Sequence, residues 1–263
     1  RMSRGLGDVY KRQIYYHVPF CRKRCHFCYF RVYTDKNSHD VRRYMDATIR
    51  ELEAYANSPY LKGRKPKFIY FGGGTPSYLS AQQLTELTDR MKAIIPWDDA
   101  EEVTFECEPG TLSEKKLEVI KNFGVTRLSL GIENFNDHIL ETNGRAHRSE
   151  EVFKAYDFAR NLGFQNINID LIAGMLEETD ENWKKCVDRV LELSPDCITI
   201  YQMEVPFNTT IFKSMKDQGK LTAPVADWPT KRKWVTQAYE ALENAGYTVT
   251  SAYTAVKDLS LIH

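Results

Sequence analysis

Short runs rich in β-branched and aromatic residues alternate along the chain with longer stretches in which apolar positions recur every three or four residues. The first pattern predicts strands over 14–18, 68–71, 102–106, 127–131, 166–171 and 197–202. The second predicts helices over 40–57, 81–95, 113–123, 149–162 and 178–193, and a last helix over 229–245 that leads into a short apolar stretch, 247–249. Ser113 and Ser149 read as N-caps, and Gly124 and Gly163 as residues just past a last turn. Six consecutive βα units with right-handed crossovers make an α/β fold, either an open sheet or a partial barrel. The residues with the most chemistry fall at the C-terminal ends of the strands, the rim where barrels carry their sites, so the expectation is a partial (β/α)6 barrel of the TIM type.

The two ends do not continue this rhythm. Residues 8–13 read Asp-Val-Tyr-Lys-Arg-Gln, and 259–263 read Leu-Ser-Leu-Ile-His. A codon choice for the first, GAT GTG TAT AAG AGA CAG, has a reverse complement whose opening codons, CTG TCT CTT ATA CAC, encode the second. Such an inverted pair looks like a sequencing-library adapter, so 1–13 and 259–263 are expected to be translated scar with no share in the core. The barrel is expected over 14–217, and 218–258 as the start of an incomplete C-terminal region whose loss leaves apolar surface exposed around 247–249.

Composition narrows the function. With 263 residues, 42% hydrophobic and 27% charged, the chain can bury one large core and is not a disordered segment. Lys plus Arg and Asp plus Glu stand at 36 each, which excludes the basic footprint of a protein built to bind nucleic acid and leaves a small molecule as the expected partner. No run approaches the ~18 apolar residues of a membrane span, and no secretory signal opens the chain, so the expected location is cytoplasmic.

Three of the six cysteines, Cys21, Cys25 and Cys28, crowd into eight residues after the first strand. Three thiolates at this spacing can hold an iron–sulfur cluster and leave its fourth iron open to a ligand. Structural zinc, with His26 as a strained fourth ligand, and three unrelated thiols are the other readings; Cys107, Cys186 and Cys197 are too scattered to finish a zinc site. After the second strand, Gly72-Gly73-Gly74-Thr75-Pro76 lets backbone approach a ligand closely.

At these residues the sequence resembles the radical S-adenosylmethionine (SAM) superfamily, which carries the same triplet with an aromatic residue, here Phe27, before the third cysteine. The resemblance implies a [4Fe-4S] cluster on Cys21, Cys25 and Cys28 that chelates SAM and cleaves it reductively, with an electron donor such as flavodoxin or ferredoxin. Glu106 in 106–109, the run 128–135, Arg145 in 144–147 and Asp170 in 169–174 are similar to successive motifs of the oxygen-independent coproporphyrinogen III oxidase family, which includes a haem chaperone and radical methyltransferases. By that resemblance Tyr15 and Phe27 pack near the cluster and the nucleoside, Gly73, Gly74 and Thr75 cradle the methionine part, Glu106 and Arg145 contact SAM, and Asp170 binds at the next strand end. The substrate implied is a tetrapyrrole or a related molecule, porphyrinogen or haem. Two positions depart from the pattern: Phe30 replaces the oxidases' fourth cysteine, and Glu133 stands where the family carries Gln. His17 and His147 are conceivable haem ligands, although a single His near a strand end is more often structural.

Overall fold

The computed structural model describes residues 13–261. Six parallel strands, β1 (Gln13–Val18), β2 (Phe68–Gly73), β3 (Glu102–Cys107), β4 (Arg127–Glu133), β5 (Asn166–Ala173) and β6 (Cys197–Gln202), lie in sequence order. Within this series each pairs only with its neighbours, so among the described residues no pairing closes β1 onto β6. The sheet nevertheless curls. Tyr70 of β2 and Tyr201 of β6 line one cavity of about 240 Å³ although three strands separate theirs.

Alternation along the strands explains the two faces. Ile69, Phe71, Val103, Phe105, Leu128, Leu130, Ile167, Ile169, Ile198 and Ile200 are buried under the helices, while the positions between them point inward and are mostly polar: Tyr70, Thr104, Glu106, Ser129, Asn168, Asp170 and Thr199. The lumen is therefore polar and the core is a shell around it.

The helices are α1 (Ser38–Ala56), α2 (Ala81–Ile94), α3 (Glu114–Asn122), α4 (Asp137–Thr142), α5 (Ser149–Asn161), α6 (Asp180–Leu193), α7 (Thr210–Asp217) and α8 (Trp228–Asn244). Asn37 caps α1 by accepting from the N–H groups of His39 and Asp40, and Val41, Met45 and Ile49 bury one stripe of that helix. Ser113 caps α3 as expected. Ser149 does not cap α5: Arg148 occupies the N-cap position, and the Ser149 N–H donates to Asp137 Oδ1 (2.7 Å) because Asp137 at the start of α4 already faces it. Helices α4 and α7 are too short to give a periodic signal and were not expected.

Residues 228–256 pack into the same core. Trp234 of α8 stacks on Trp183 of α6, with ring centroids 6.2 Å apart and planes 13° from parallel, and the Trp183 indole N–H donates to the Trp234 carbonyl. The strands β7 (Thr248–Val249) and β8 (Thr254–Val256) form a hairpin whose β8 pairs antiparallel with β6. This corrects the expectation of exposed apolar surface at 247–249. Tyr247 is buried and its hydroxyl donates to the Pro195 carbonyl, because the hairpin returns that stretch onto the free edge of β6. At the ends, Gln13 continues β1 opposite Phe68 and Leu259–Leu261 form a surface 3-10 turn; residues 1–12 and 262–263 of the expected scar lie outside the described residues.

Candidate active site

The loop that follows β1 carries the three clustered cysteines and is tied down on all sides. Cys21 N–H donates to the Tyr33 carbonyl (3.1 Å) and Tyr33 N–H to the Pro19 carbonyl (2.8 Å), closing the loop on itself. His26 fastens it to the end of α4: its N–H donates to the Asn143 carbonyl and its Nδ1 lies 2.9 Å from the Thr142 carbonyl. Gly144, at φ +76°, leaves room for that ring, since a Cβ there would sit 2.7 Å from it. Backbone therefore fixes the orientation of the His26 ring through Nδ1. Among the described residues no three His, Cys, Asp or Glu side chains converge as the ligands of a single ion; a four-iron cluster asks for a different donor set, one thiolate at each of three corners.

Burial disfavours the thiolate form of two of the three cysteines. Burial pushes Cys21 up to about 11, with Cys25 and Cys28 raising it further, and burial also raises Cys28. Polar donors already address the sulfurs. Thr75 Oγ1 donates to Cys21 Sγ (3.3 Å) and Arg145 Nη1 to Cys25 Sγ (3.3 Å). Gly74 stands against the same loop, where a Cβ would meet Cys21 Sγ and the carbonyls of Val18 and Phe20 at 2.9 Å each. Gly73 has φ +114°, and a Cβ there would strike the His17 ring at 2.6 Å.

Across the rim from this loop lie three half-buried carboxylates. Glu106 at the end of β3 accepts from the Tyr70 hydroxyl (2.6 Å) and from Gly73 N–H (3.2 Å), and burial pushes it up to about 7. Glu133 ends β4 beyond a register shift after Gly131, with φ +68°, a conformation rare for a side chain with a Cβ. Its Oε1 lies 3.7 Å from Arg145 Nη1, and burial pushes it up to about 7 against the pull of that guanidinium. Asp170 sits deeper: both its oxygens accept hydrogen bonds, from Ser129 Oγ (2.9 Å) and Asn168 Nδ2 (2.8 Å), in the wall of the lumenal cavity.

The structure thus brings Cys21, Cys25, Gly73, Gly74, Thr75, Glu106, Glu133 and Arg145 into one connected set, with Cys28 joined through its N–H to the Cys25 carbonyl. Tyr15 is 57% exposed and belongs to the lumen, not the core; its hydroxyl lies 3.0 Å from His17 Nδ1. Phe27 packs on the small apolar group of Ile139, Ile172, Met175 and Met203. Two participants, Tyr70 and Glu108, were not singled out by the sequence. Tyr70 shares the inward face of β2 with Gly72, and period-two alternation would have found it. Glu108 and His147 meet at 3.9 Å, with His147 pushed down to about 3 by burial and by Arg145, so it stays neutral. Two buried nitrogens, Arg145 Nε and His147 Nε2, have no hydrogen-bond partner, leaving unspent polar capacity beside Cys25.

A protein-family model described as the radical SAM superfamily matches residues 15–190. The chain belongs to the radical SAM superfamily. That family's cofactors are a [4Fe-4S] cluster and SAM, and the thiol loop, the glycine cradle and the unpaired Arg145 nitrogen suit both. Among curated proteins, the chain is 35% identical over 81% of its length to the heme chaperone HemW of Bacillus subtilis and 31% identical over 72% to the oxygen-independent coproporphyrinogen III oxidase of Escherichia coli. These alignments cover 55% and 41% of those proteins, so the chain spans about half the length of the curated relatives it matches. The solved coproporphyrinogen III oxidase (HemN) of Escherichia coli superposes on 93% of the chain and 55% of its own, with a TM-score of 0.83 at 27% identity. This radical SAM chain therefore has the predicted partial barrel, and among its described residues no helix is long and apolar enough to cross a membrane.

Proposed function

We propose that Cys21, Cys25 and Cys28 hold the [4Fe-4S] cluster, that SAM lies across the strand ends beside it, and that the protein cleaves SAM reductively while acting on a tetrapyrrole. What carries the reading is that one guanidinium, Arg145, addresses both a loop thiol and a strand-end carboxylate, joining the cysteine loop and the rim into one site. A cluster held by these three thiols would supply the one electron that cleaves SAM into methionine and a 5'-deoxyadenosyl radical able to take hydrogen from a substrate. Gly73, Gly74 and Thr75 give the methionine part backbone it can approach, Arg145 faces its carboxylate, and Glu106, fixed by Tyr70, accepts from its ammonium. Glu133 accepts from a sugar hydroxyl, which suits a carboxylate where the family carries an amide. Asp170 holds Ser129 and Asn168 in place beneath the nucleoside, and Tyr15 and Phe27 wall the pocket.

The tetrapyrrole assignment rests on family likeness and on an aromatic ledge. Tyr29 and Phe30, 56% and 43% exposed, lie with ring centroids 4.6 Å apart and planes tilted by 30° directly after Cys28, and His17 lies 6.4 Å from Phe30. A flat macrocycle gains most from such rings. A second reading, haem binding and delivery, is favoured by the same residue: Phe30 removes the oxidases' fourth cysteine, and HemW proteins stand among the curated relatives. The test is anaerobic cluster reconstitution followed by SAM, dithionite and either coproporphyrinogen III or haem. 5'-Deoxyadenosine with a vinyl product supports the oxidase, tight haem binding without turnover supports the chaperone, and S-adenosylhomocysteine would point to methyl transfer. A protein that takes up about four irons but neither cleaves SAM nor binds either tetrapyrrole overturns the proposal.

A further inference from the structure

The proposed chemistry consumes an electron, and the strand ends are taken by SAM and substrate, so the electron must arrive from the outer side of the cysteine loop. That side is not neutral. Between residues 22 and 50 the chain carries eight Lys and Arg against three Asp, within a protein whose totals are 36 and 36. The groove there, about 660 Å³, runs between the loop and α1. Its floor is aromatic, with Phe20 and Tyr44 edge to face at 5.3 Å and Tyr33 beside them. The floor is also the backbone of the cluster loop: Phe20 precedes Cys21, and Tyr33 accepts the Cys21 N–H.

The charges on the groove wall are unequally matched. Asp46 is paired with Arg90 (2.7 Å) and Asp40 faces the Asn37 N–H at the start of α1. Arg42, pointing off the groove, pairs with Glu86 at 3.6 Å. Arg43 and Arg50, two turns apart on the groove face of α1 and both exposed, have no carboxylate partner among the described residues. Lys36, also on the wall, pairs with Asp35 at 3.3 Å and lies 5.5 Å from the Tyr33 ring centre. Asp35 and Asp46 are thus matched by cations within the fold while Arg43 and Arg50 remain open to a partner, and exposed charges left open in this way steer an oppositely charged protein and speed its encounter.

We propose that this groove is the docking surface for an acidic one-electron carrier protein, which gives up one electron there to the Cys21 side of the site and leaves oxidised by one electron. The inference rests on the SAM-cleaving reading for the purpose of the electron, but binding can be read without it. The test uses flavodoxin, an acidic flavin carrier, titrated by calorimetry against the reconstituted protein and the charge-reversed pair Arg43→Glu/Arg50→Glu. The control is Lys62→Glu/Arg64→Glu, in the loop that enters β2. Removing two uncompensated charges from a steered, exposed interface should weaken binding about tenfold or more at low salt and flatten its salt dependence, while the control stays within about twofold. Flavodoxin-driven formation of 5'-deoxyadenosine should fall in parallel, and dithionite-driven formation should not.

Equal affinity and equal salt dependence in all three proteins would overturn the docking surface. If dithionite fails to cleave SAM in the unaltered protein, the SAM-cleaving reading falls while the binding comparison still decides the groove. Should the double variant lose iron or unfold, Arg50→Gln alone, read by the same titration, keeps the test open: unchanged affinity there counts against the groove and weakened affinity for it.

Discussion

Arg145 Nη1 lies 3.3 Å from Cys25 Sγ and 3.7 Å from Glu133 Oε1, so one side chain senses both the cysteine loop and the end of β4. A guanidinium placed this way presents a planar fork that an ammonium cannot reproduce. Arg145→Lys should keep iron content near the unaltered level yet weaken SAM binding about tenfold or more, since losing one good charge-assisted contact is worth about 1.4 kcal/mol or above. Iron analysis together with the SAM-induced change in the cluster's EPR spectrum checks this. Full SAM affinity in the variant would show that Arg145 serves only the fold.

Gly74→Ala should fail earlier, at cluster assembly. The added methyl would meet Cys21 Sγ and two backbone carbonyls at 2.9 Å, and backbone in a loop tied at both ends has little room to give. Overpacking of this sort costs about 1–3 kcal/mol. Iron uptake well below the unaltered protein, with the far-ultraviolet circular dichroism preserved, is the expected result; normal uptake would mean the loop can shift.

Trp183→Ala tests whether residues beyond the barrel strands are bound into it. The side chain is 2% exposed, stacks on Trp234 and donates to its carbonyl. Its loss should cost about 3–5 kcal/mol. Urea unfolding that remains a single transition with a lower midpoint would agree. Two separated transitions would instead make α8 and the hairpin an independent unit.

Much of this was legible in the sequence because strand alternation and helix periodicity are local signals. The six parallel strands, the thiol loop and the glycine cradle all follow from spacing over a few residues. What was not legible depends on contacts between distant segments. Asp137 takes the Ser149 N–H from across the α4–α5 connection, so Ser149 shifts from cap to first turn. Tyr247 becomes core only once β8 reaches β6. The pairing of Glu133 with Arg145 follows from an unusual backbone angle at Glu133, which no propensity for Glu foretells.

Glu106 and Glu133 also set a pH dependence. Burial pushes both up to about 7 in the folded protein, against about 4.3 in an unfolded chain. The folded state therefore binds more protons between those values, and the stability they contribute, full below the unfolded value, is lost as pH rises through about 7. The melting temperature of the cofactor-free protein should fall from pH 5 to pH 8, by the equivalent of about 1–3 kcal/mol per carboxyl. Glu133→Gln, which cannot ionise, should flatten the curve. A Glu133→Gln curve that parallels that of the unaltered protein would show that Glu133 is charged throughout this range.

The antiparallel hairpin on β6 has a geometric consequence. A seventh parallel strand could be laid beside β6 only by a right-handed crossover onto a free edge, and that edge is occupied by a strand running the other way. Among the described residues β6 therefore has no hydrogen-bonding edge left to offer, and any further strand on that side would have to extend the sheet from β7.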